Sequence, residues 1–315
     1  MTRTSATDAS RDNDISDALA EHDTLPCVLS FNASDPTGAC GSSSDALVIG
    51  SIGAHALPVV TGVYVRDTRE TLGHTVIDDT TVAEQAHAVA EDIPILTIKV
   101  GFLGSAEVVA AVAAFASDYA SVPLIAYMPD LSWWSEQEID DYLDAFRELL
   151  LPQTAVLVGN NATLRHWLLP ESTTDRHARA ADLARAAAEY GVSYVVVTGV
   201  PMAGDQLGNV LASPQAELHS QSFERIDAGF LGAGDILSAA LAALLATGSD
   251  LTEAVGEALL YLDQALDHGF RPGMGRAVAD RLFWASAEAD DDGADDAASP
   301  DRLIDIHHPV NETKH

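Results

Sequence analysis

The run Gly232-Ala233-Gly234-Asp235 stands directly before a long, nearly uncharged apolar stretch, Ile236 to Thr247. Glycines at a helix start let backbone N–H groups approach an anion, and the positive end of the helix dipole favours negative charge there. The aspartate has two readings. As a cap it accepts a hydrogen bond from an orphan N–H; as a general base it takes a proton from a hydroxyl attacking a phosphoryl group held by those N–H groups. Spacing alone leaves both open. A second segment, Asn32-Ala33-Ser34-Asp35-Pro36-Thr37-Gly38-Ala39-Cys40-Gly41, follows the first apolar run and leads into a helix that carries Asp45. Gly-rich turns after a first strand serve small-molecule binding at the carboxyl edge of a parallel sheet. This one has neither the dinucleotide GxGxxG spacing nor that of the P-loop, and a capped strand-to-helix loop is its plainer reading. A third segment is Ile98-Lys99-Val100-Gly101-Phe102-Leu103-Gly104-Ser105. Lys99 and Lys314 are the only lysines, and a lysine at a strand end is ordinarily exposed.

The elements that must position these segments follow from the apolar pattern. Short β-rich runs (26–31, 58–65, 95–100, 123–127, 155–158 and 194–198) alternate with helical stretches (42–53, 84–91, 106–119, 136–151 and 176–190). Buried strands separated by helices predict βαβ units and a mostly parallel sheet, hence an α/β fold. Residues 200–228 carry only weak, interrupted extended character. The stretch 236–247 is apolar on every side, which predicts a helix buried deep in the domain. A further helix, 251–268, precedes the Gly-rich segment 269–275.

Composition bounds the possible partners. Of 315 residues, 47% are apolar, enough for a sizeable core, while 16 basic against 48 acidic residues give a formal net charge of −32. Such a surface repels phosphate backbones and anionic lipid, so neither nucleic acid nor a membrane surface is an expected partner. Two cysteines, Cys27 and Cys40, make neither a disulfide framework nor a Cys-based zinc site, and the histidines lack metal-ligand spacing. No apolar run reaches the length of a membrane span, and a cytoplasmic protein is expected. Residues 1–25 and 286–315 are acidic and without apolar period; they read as flexible tails flanking one ordered domain, 26–285.

Taken in order, the motifs SDPTGACGSSSD, VVTGVYVRDT, IKVGFLGSAEVV, LLPQTAVLVGN, VVVTG, GAGDILSAALAALLATG, AVGEALLYLDQAL and HGFRPGMG run collinearly from about Pro26 to Trp284. Together they resemble the hydroxymethylpyrimidine kinase / phosphomethylpyrimidine kinase family of thiamine biosynthesis, within the ribokinase-like superfamily. The resemblance implies a three-layer α/β/α sandwich with a mostly parallel central sheet. It also implies transfer of the ATP γ-phosphoryl group, with Mg²⁺, to the hydroxymethyl oxygen of an aminopyrimidine alcohol and then to its monophosphate. A homodimer and a small-molecule pyrimidine substrate are implied likewise.

Residue by residue, the resemblance puts Gly232 and Gly234 on the anion-hole glycines and Asp235 on the catalytic position, where this family usually has cysteine and most ribokinase-like enzymes have aspartate. Asp45 falls on the aspartate that hydrogen-bonds the pyrimidine, and Ala33 on a glycine against the ring. Arg66 stands in place of the pyrimidine-reading glutamine, and Phe102 in place of a methionine at the substrate. Lys99, Asn160, Thr198, Gly199 and Ala233 are implied along the nucleotide. The chain also departs from the pattern at Ala126-Tyr127-Met128, where the family has Asp-Pro-Val, and at Thr163, where it has a glutamate associated with the metal-bound phosphates. Trp133-Trp134 replaces small residues, as a substrate lid or an oligomer contact. Losing two acids weakens Mg²⁺ positioning, with Asp130 as a candidate substitute. A pyridoxal-type kinase and a catalytically weak, ligand-binding paralogue are the competing expectations.

Overall fold

The first apolar run becomes β1 (Cys27–Ser34), flanked on one side by β2 (His55–Arg66) and on the other by β4 (Thr97–Val100), all parallel. The structure, a computed structural model, describes residues 25–169 and 179–285. Beyond β4 the parallel order continues through β5 (Leu124–Met128), β6 (Val156–Asn160) and β7 (Tyr194–Pro201). Antiparallel strands close both edges: β3 (Thr71–Val76) outside β2, and β8 (Gln206–Ala212) with β9 (Glu217–Glu224) outside β7. The order is therefore β3-β2-β1-β4-β5-β6-β7-β8-β9, and a short parallel pair, β10 (Phe230–Leu231) and β11 (Ala277–Val278), stands apart from it. The chain leaves β1 toward one edge for β2 and returns to the other side for β4. In such a sheet the crevice lies at the carboxyl ends of the strands where the order diverges.

Eight helices connect the strands among the described residues: α1 (Gly41–Ile52), α2 (Asp79–Ala90), α3 (Ala106–Asp118), α4 (Glu136–Ala145), α5 (Asn161–Leu168), α6 (Ala180–Ala188), α7 (Ala233–Ala246) and α8 (Leu251–Asp267). Period-2 alternation divides β1 and β4 between two layers. Leu29, Phe31, Ile98 and Val100 enter a large core with Val82, Phe115, Phe146 and Leu183 from the helices of one layer. The alternate residues, Ser30, Asn32 and Lys99, face the layer of α1 and α7. The helix α7, apolar all round as expected, is buried along nearly its whole length, packed on β1, β4 and β5 and against α1 and α8.

Several boundaries differ from the sequence expectations. The helix α2 starts at Asp79 rather than Glu84, because the Asp78 side chain accepts from the Thr81 N–H and caps it there. The amphipathic stretch 136–151 is regular α-helix only to Ala145. It then widens into a π-type turn (Phe146–Leu150) and tightens into a 3₁₀ turn at Leu151–Gln153, where Pro152 has no N–H to continue a helix. Strand β3 was not expected. It is a mostly exposed edge strand, so it lacks a continuous apolar run. The weak extended character of 200–228 is the end of β7 and the hairpins of β8 and β9.

The chain divides into two compact units after Arg281; every element above belongs to the first, and of the second only residues 282–285 are described. The expected tails lie outside the described residues except for Leu25, as do residues 176–178 of the expected helix preceding β7. No helix among the described residues is long and apolar enough to cross a membrane.

Candidate active site

Ser30 on β1 and Lys99 on β4 are register partners, so both point from the sheet into the space under α7. There Lys99 is not the exposed strand-end lysine expected from its position. It is wholly buried, and its Nζ lies 2.9 Å from both carboxylate oxygens of Asp45 on α1 and 2.7 Å from Asp235 Oδ1 on α7. The Asn32 amide donates to the same two groups, 3.0 Å to Asp45 Oδ2 and 2.8 Å to Asp235 Oδ1, and Ser30 Oγ donates to Asp45 Oδ2 at 2.6 Å. Burial disfavours the charged form of Lys99, but the carboxylates of Asp235 and Asp45 outweigh it and hold the ammonium above the usual lysine range. For Asp45, burial wins: its carboxyl is pushed up despite Lys99, with the Asp235 charge adding to the rise.

Two residues assigned to ligands by resemblance therefore serve elsewhere in this structure. The Asp45 carboxylate is buried and taken up by Lys99, Asn32 and Ser30, and Lys99 has no surface to offer a nucleotide. Asp235, by contrast, is tied through Oδ1 only, while Oδ2 carries no hydrogen bond among the described residues.

Above this charged floor opens a cavity of ~580 Å³, reached by Gly232, Ala233, Gly234 and Asp235 at the start of α7. Gly232 caps the helix at φ 79°, and a Cβ there would overlap the Ala39 carbonyl oxygen, so only glycine lets the helix begin so close to the loop before α1. A Cβ on Gly234 would clash with the hydroxyl edge of the Tyr127 ring. Tyr127, at the end of β5, lies across this first turn with its hydroxyl held well above the usual phenol range by burial and by the Asp235 charge. It stays a neutral donor beside the helix start. The departure Ala126-Tyr127 thus loses the acid of the family pattern and places a hydroxyl at the neighbouring position, where the pattern has a proline.

One end of the cavity is walled by aromatic side chains. Tyr64 of β2 stacks on Phe102 at 5.1 Å and 18°, and Trp133 meets both edge-on. Trp134 donates through Nε1 to His74 Nδ1, whose Nε2 lies 2.9 Å from the Gly104 carbonyl oxygen, which fixes the ring as the Nε2–H tautomer. Trp133 thereby lines the cavity as part of this cluster. Arg66 lies over Tyr64, its Cζ 5.5 Å from the ring centroid, with Nη1 3.5 Å from Cys40 Sγ and 4.0 Å from Asp35. Burial and the nearby Asp235 charge push the Cys40 thiol well up, so it is a protonated, unreactive filler.

Of the expected substrate residues, only Arg66 lines the cavity. Ala33 is wholly buried, and Phe102 backs Tyr64 from behind. The other end of the cavity carries Asn160 and Thr198, with Ala233, and continues into a second cavity of ~350 Å³ lined by Gly199, Leu207, Leu237 and Leu262. The expected nucleotide residues Asn160, Thr198, Gly199 and Ala233 are thus brought together, and Lys99 is not among them. Asn32, Tyr64 and Tyr127 were missed as site residues. A polar Asn inside an apolar first strand was the one available signal for the first of them.

No group of three or more His, Cys, Asp or Glu side chains positioned for a metal ion occurs among the described residues. Besides Asp235, the carboxylates of the cavity wall are Glu70 and Asp130, the latter accepting from the Ser132 N–H at 2.9 Å.

Comparison with known proteins agrees with this architecture. The chain is 29% identical over 270 residues to the hydroxymethylpyrimidine/phosphomethylpyrimidine kinase of Streptomyces coelicolor, covering 84% of this chain and 97% of that protein. It is also 29% identical over 266 residues to the enzyme of the same name from Mycobacterium bovis, covering 84% and 96%. Among solved structures, an ADP complex of Bacillus subtilis pyridoxal kinase superposes with TM-score 0.73 at 21% identity, over 83% of this chain and 99% of that one. Clostridium difficile phosphomethylpyrimidine kinase gives 0.61 at 19% identity, over 75% and 98%. These two share the ribokinase-like fold. The sequence profile of the phosphomethylpyrimidine kinase family matches residues 35–280, and the chain belongs to that family.

Proposed function

We propose that this chain transfers the γ-phosphoryl group of ATP to the hydroxymethyl oxygen of 4-amino-5-hydroxymethyl-2-methylpyrimidine, to its monophosphate, or to both, as a cytoplasmic enzyme of thiamine biosynthesis. The observation that carries this reading is the half-tethered Asp235. Lys99 and Asn32 fix Oδ1, and Oδ2 is left to the cavity at the helix start where an anion is stabilised. An alcohol seated against Tyr64 and Trp133 gives its proton to Oδ2 as its oxygen attacks the γ-phosphorus. Charge developing on the transferring group meets the N–H groups of the α7 first turn and the Tyr127 hydroxyl. The adenine end fits the apolar second cavity, with Asn160 and Thr198 between it and the phosphates.

Mg²⁺ is typically held by one or two carboxylates together with substrate phosphates. The donors on the cavity wall suit an ion carried in with ATP rather than a resident one. Asp130 is the residue to hold it, and the ion would offset phosphate charge. The homodimer is part of the proposal. Val63 and Val65 are exposed on the β2 face opposite Tyr64, next to the edge strand β3, and sedimentation at micromolar concentration tests it.

The decisive experiment measures ADP release with Mg-ATP and the pyrimidine alcohol. Turnover is expected, and Asp235→Asn is expected to lower kcat at least ~100-fold, the lower range for a general base. Turnover with pyridoxal but not the pyrimidine would replace the substrate. Protection against thermal unfolding with no turnover of either the alcohol or its monophosphate would leave a binding protein.

A further inference from the structure

In a chain with 48 acidic and 16 basic residues, cations gathered in one cavity call for a reason. Three arginines line the cavity above Asp235: Arg66, Arg69 and Arg276. Arg66 and Arg69 are near neighbours in sequence, and Arg276, some two hundred residues on, is drawn to them by hydrogen bonds to Thr68. The Arg276 N–H donates to the Thr68 carbonyl oxygen at 2.9 Å, and the Gly275 N–H donates to Thr68 Oγ1 at 3.1 Å. Arg66 has Asp35 only at 4.0 Å, because that carboxylate already accepts from Thr37 and from the Cys40 N–H; its buried Nε has no hydrogen-bond partner. Arg69 reaches the Met274 sulfur at 3.2 Å, and neither it nor Arg276 is in an ion pair among the described residues.

A buried donor without a partner costs stability unless a ligand satisfies it, and the planar guanidinium fork matches phosphate oxygens in particular. The location says which phosphate. Arg66 rests on Tyr64 and Cys40 at the aromatic end, away from Asn160, Thr198 and the apolar cavity beyond them. An alcohol acceptor needs no countercharge there. A phosphate monoester does, because it must approach the γ-phosphate of ATP in an otherwise acidic protein.

We infer that Arg66, Arg69 and Arg276 form a subsite for an acceptor that already carries a phosphate, so that transfer to the phosphate monoester is favoured over transfer to the neutral alcohol. The inference rests on the kinase reading above. In that transfer a non-bridging oxygen of the acceptor phosphate attacks the γ-phosphorus, the bond to the β-phosphate oxygen breaks, and ADP leaves with the electron pair. No proton has to move, since the nucleophile is already an anion. Asp235 is then needed for the alcohol and dispensable for the monoester.

The test compares kcat/KM for the pyrimidine alcohol and its monophosphate at saturating Mg-ATP, in the full chain and in Arg66→Gln and Arg276→Gln. The monophosphate is expected to be preferred at least 100-fold, and each substitution is expected to reduce that ratio at least tenfold. Arg276 is exposed, so its variant remains informative if the more buried Arg66 variant fails to fold. Equal or better use of the alcohol by the unmodified chain overturns the inference. So does an unchanged ratio accompanied by a raised KM for ATP, which would assign the arginines to the nucleotide. If neither acceptor turns over, the kinase reading fails by itself, and calorimetry of the monophosphate with the nucleotide-free protein decides the subsite. Binding weakened tenfold in Arg276→Gln upholds it, and equal binding overturns it.

Discussion

The two ends of the cleft are built on different principles. The end carrying Asn160, Thr198 and Gly199 continues into a cavity walled by Leu207, Leu237 and Leu262, and its polar groups come from the ends of parallel strands. The opposite end is aromatic and cationic, with Tyr64, Trp133, Arg66 and Arg276, and it is closed by loops and by the antiparallel hairpin of β2 and β3. Most of the departures from the family pattern gather at this second end or beside the α7 start: Arg66, Phe102, Tyr127, Trp133 and Trp134. The difference teaches where this chain has been altered. The nucleotide end follows from the sheet, whereas the acceptor end depends on side chains that can change without disturbing it.

Beneath both ends lies the Lys99 cluster, and removing its charge is the harshest way to break the contrast, since both halves stand on it. Lys99→Met leaves two carboxylates buried without their cation and is expected to cost ~3–5 kcal/mol of stability, read by denaturant unfolding. Adding Asp45→Asn should recover part of that loss. The same cluster sets a pH signature. Lys99 is held above its unfolded pKa, so its contribution is fully present below the unfolded value near ~10.4 and is lost as pH rises through the higher folded value. Unfolding measured from pH 7 to 11 should show this alkaline decline in the unmodified chain and not in Lys99→Met.

A smaller effect sharpens the comparison between the ends. Leu262→Asp places a second carboxylate beside Asp263 in the apolar cavity and is expected to raise the KM for ATP about tenfold, with the KM for the acceptor within twofold. An equal rise in both would mean that the ends do not act separately. The smallest effect lies outside the cleft. Asp250 caps α8 by accepting from the Thr252 and Glu253 N–H groups; Asp250→Ala should lower stability by ~1 kcal/mol and leave the acceptor preference as it was.

Much of the layout was legible before any coordinates. Short, continuous apolar β-rich runs announced β1, β4, β5 and β6, and the apolar wrap of 236–247 announced a buried helix. Edge strands β3 and β9 were weaker because half or more of each faces water, and β8 because Gln206, Gly208 and Asn209 interrupt it; none keeps the run of apolar residues that marks a central strand. Gly232, Gly234 and Asp235 could be singled out because the helix start itself lies within four consecutive residues. Lys99 read as an exposed residue, since a linear pattern cannot show that its register partner Ser30 and two remote carboxylates enclose it.

The α/β class, the strand-to-helix rhythm and the anion-binding helix start were determined by local sequence, because each depends on the conformation and patterning of neighbouring residues. Tertiary structure alone decided that Asp45 neutralises Lys99 rather than facing a ligand, that Tyr127 lies on Gly234, and that Arg66 and Arg276 meet across one cavity. Those pairings join residues tens to hundreds of positions apart. Their energies depend on distance and desolvation in three dimensions, and neither quantity is written in the order of the chain.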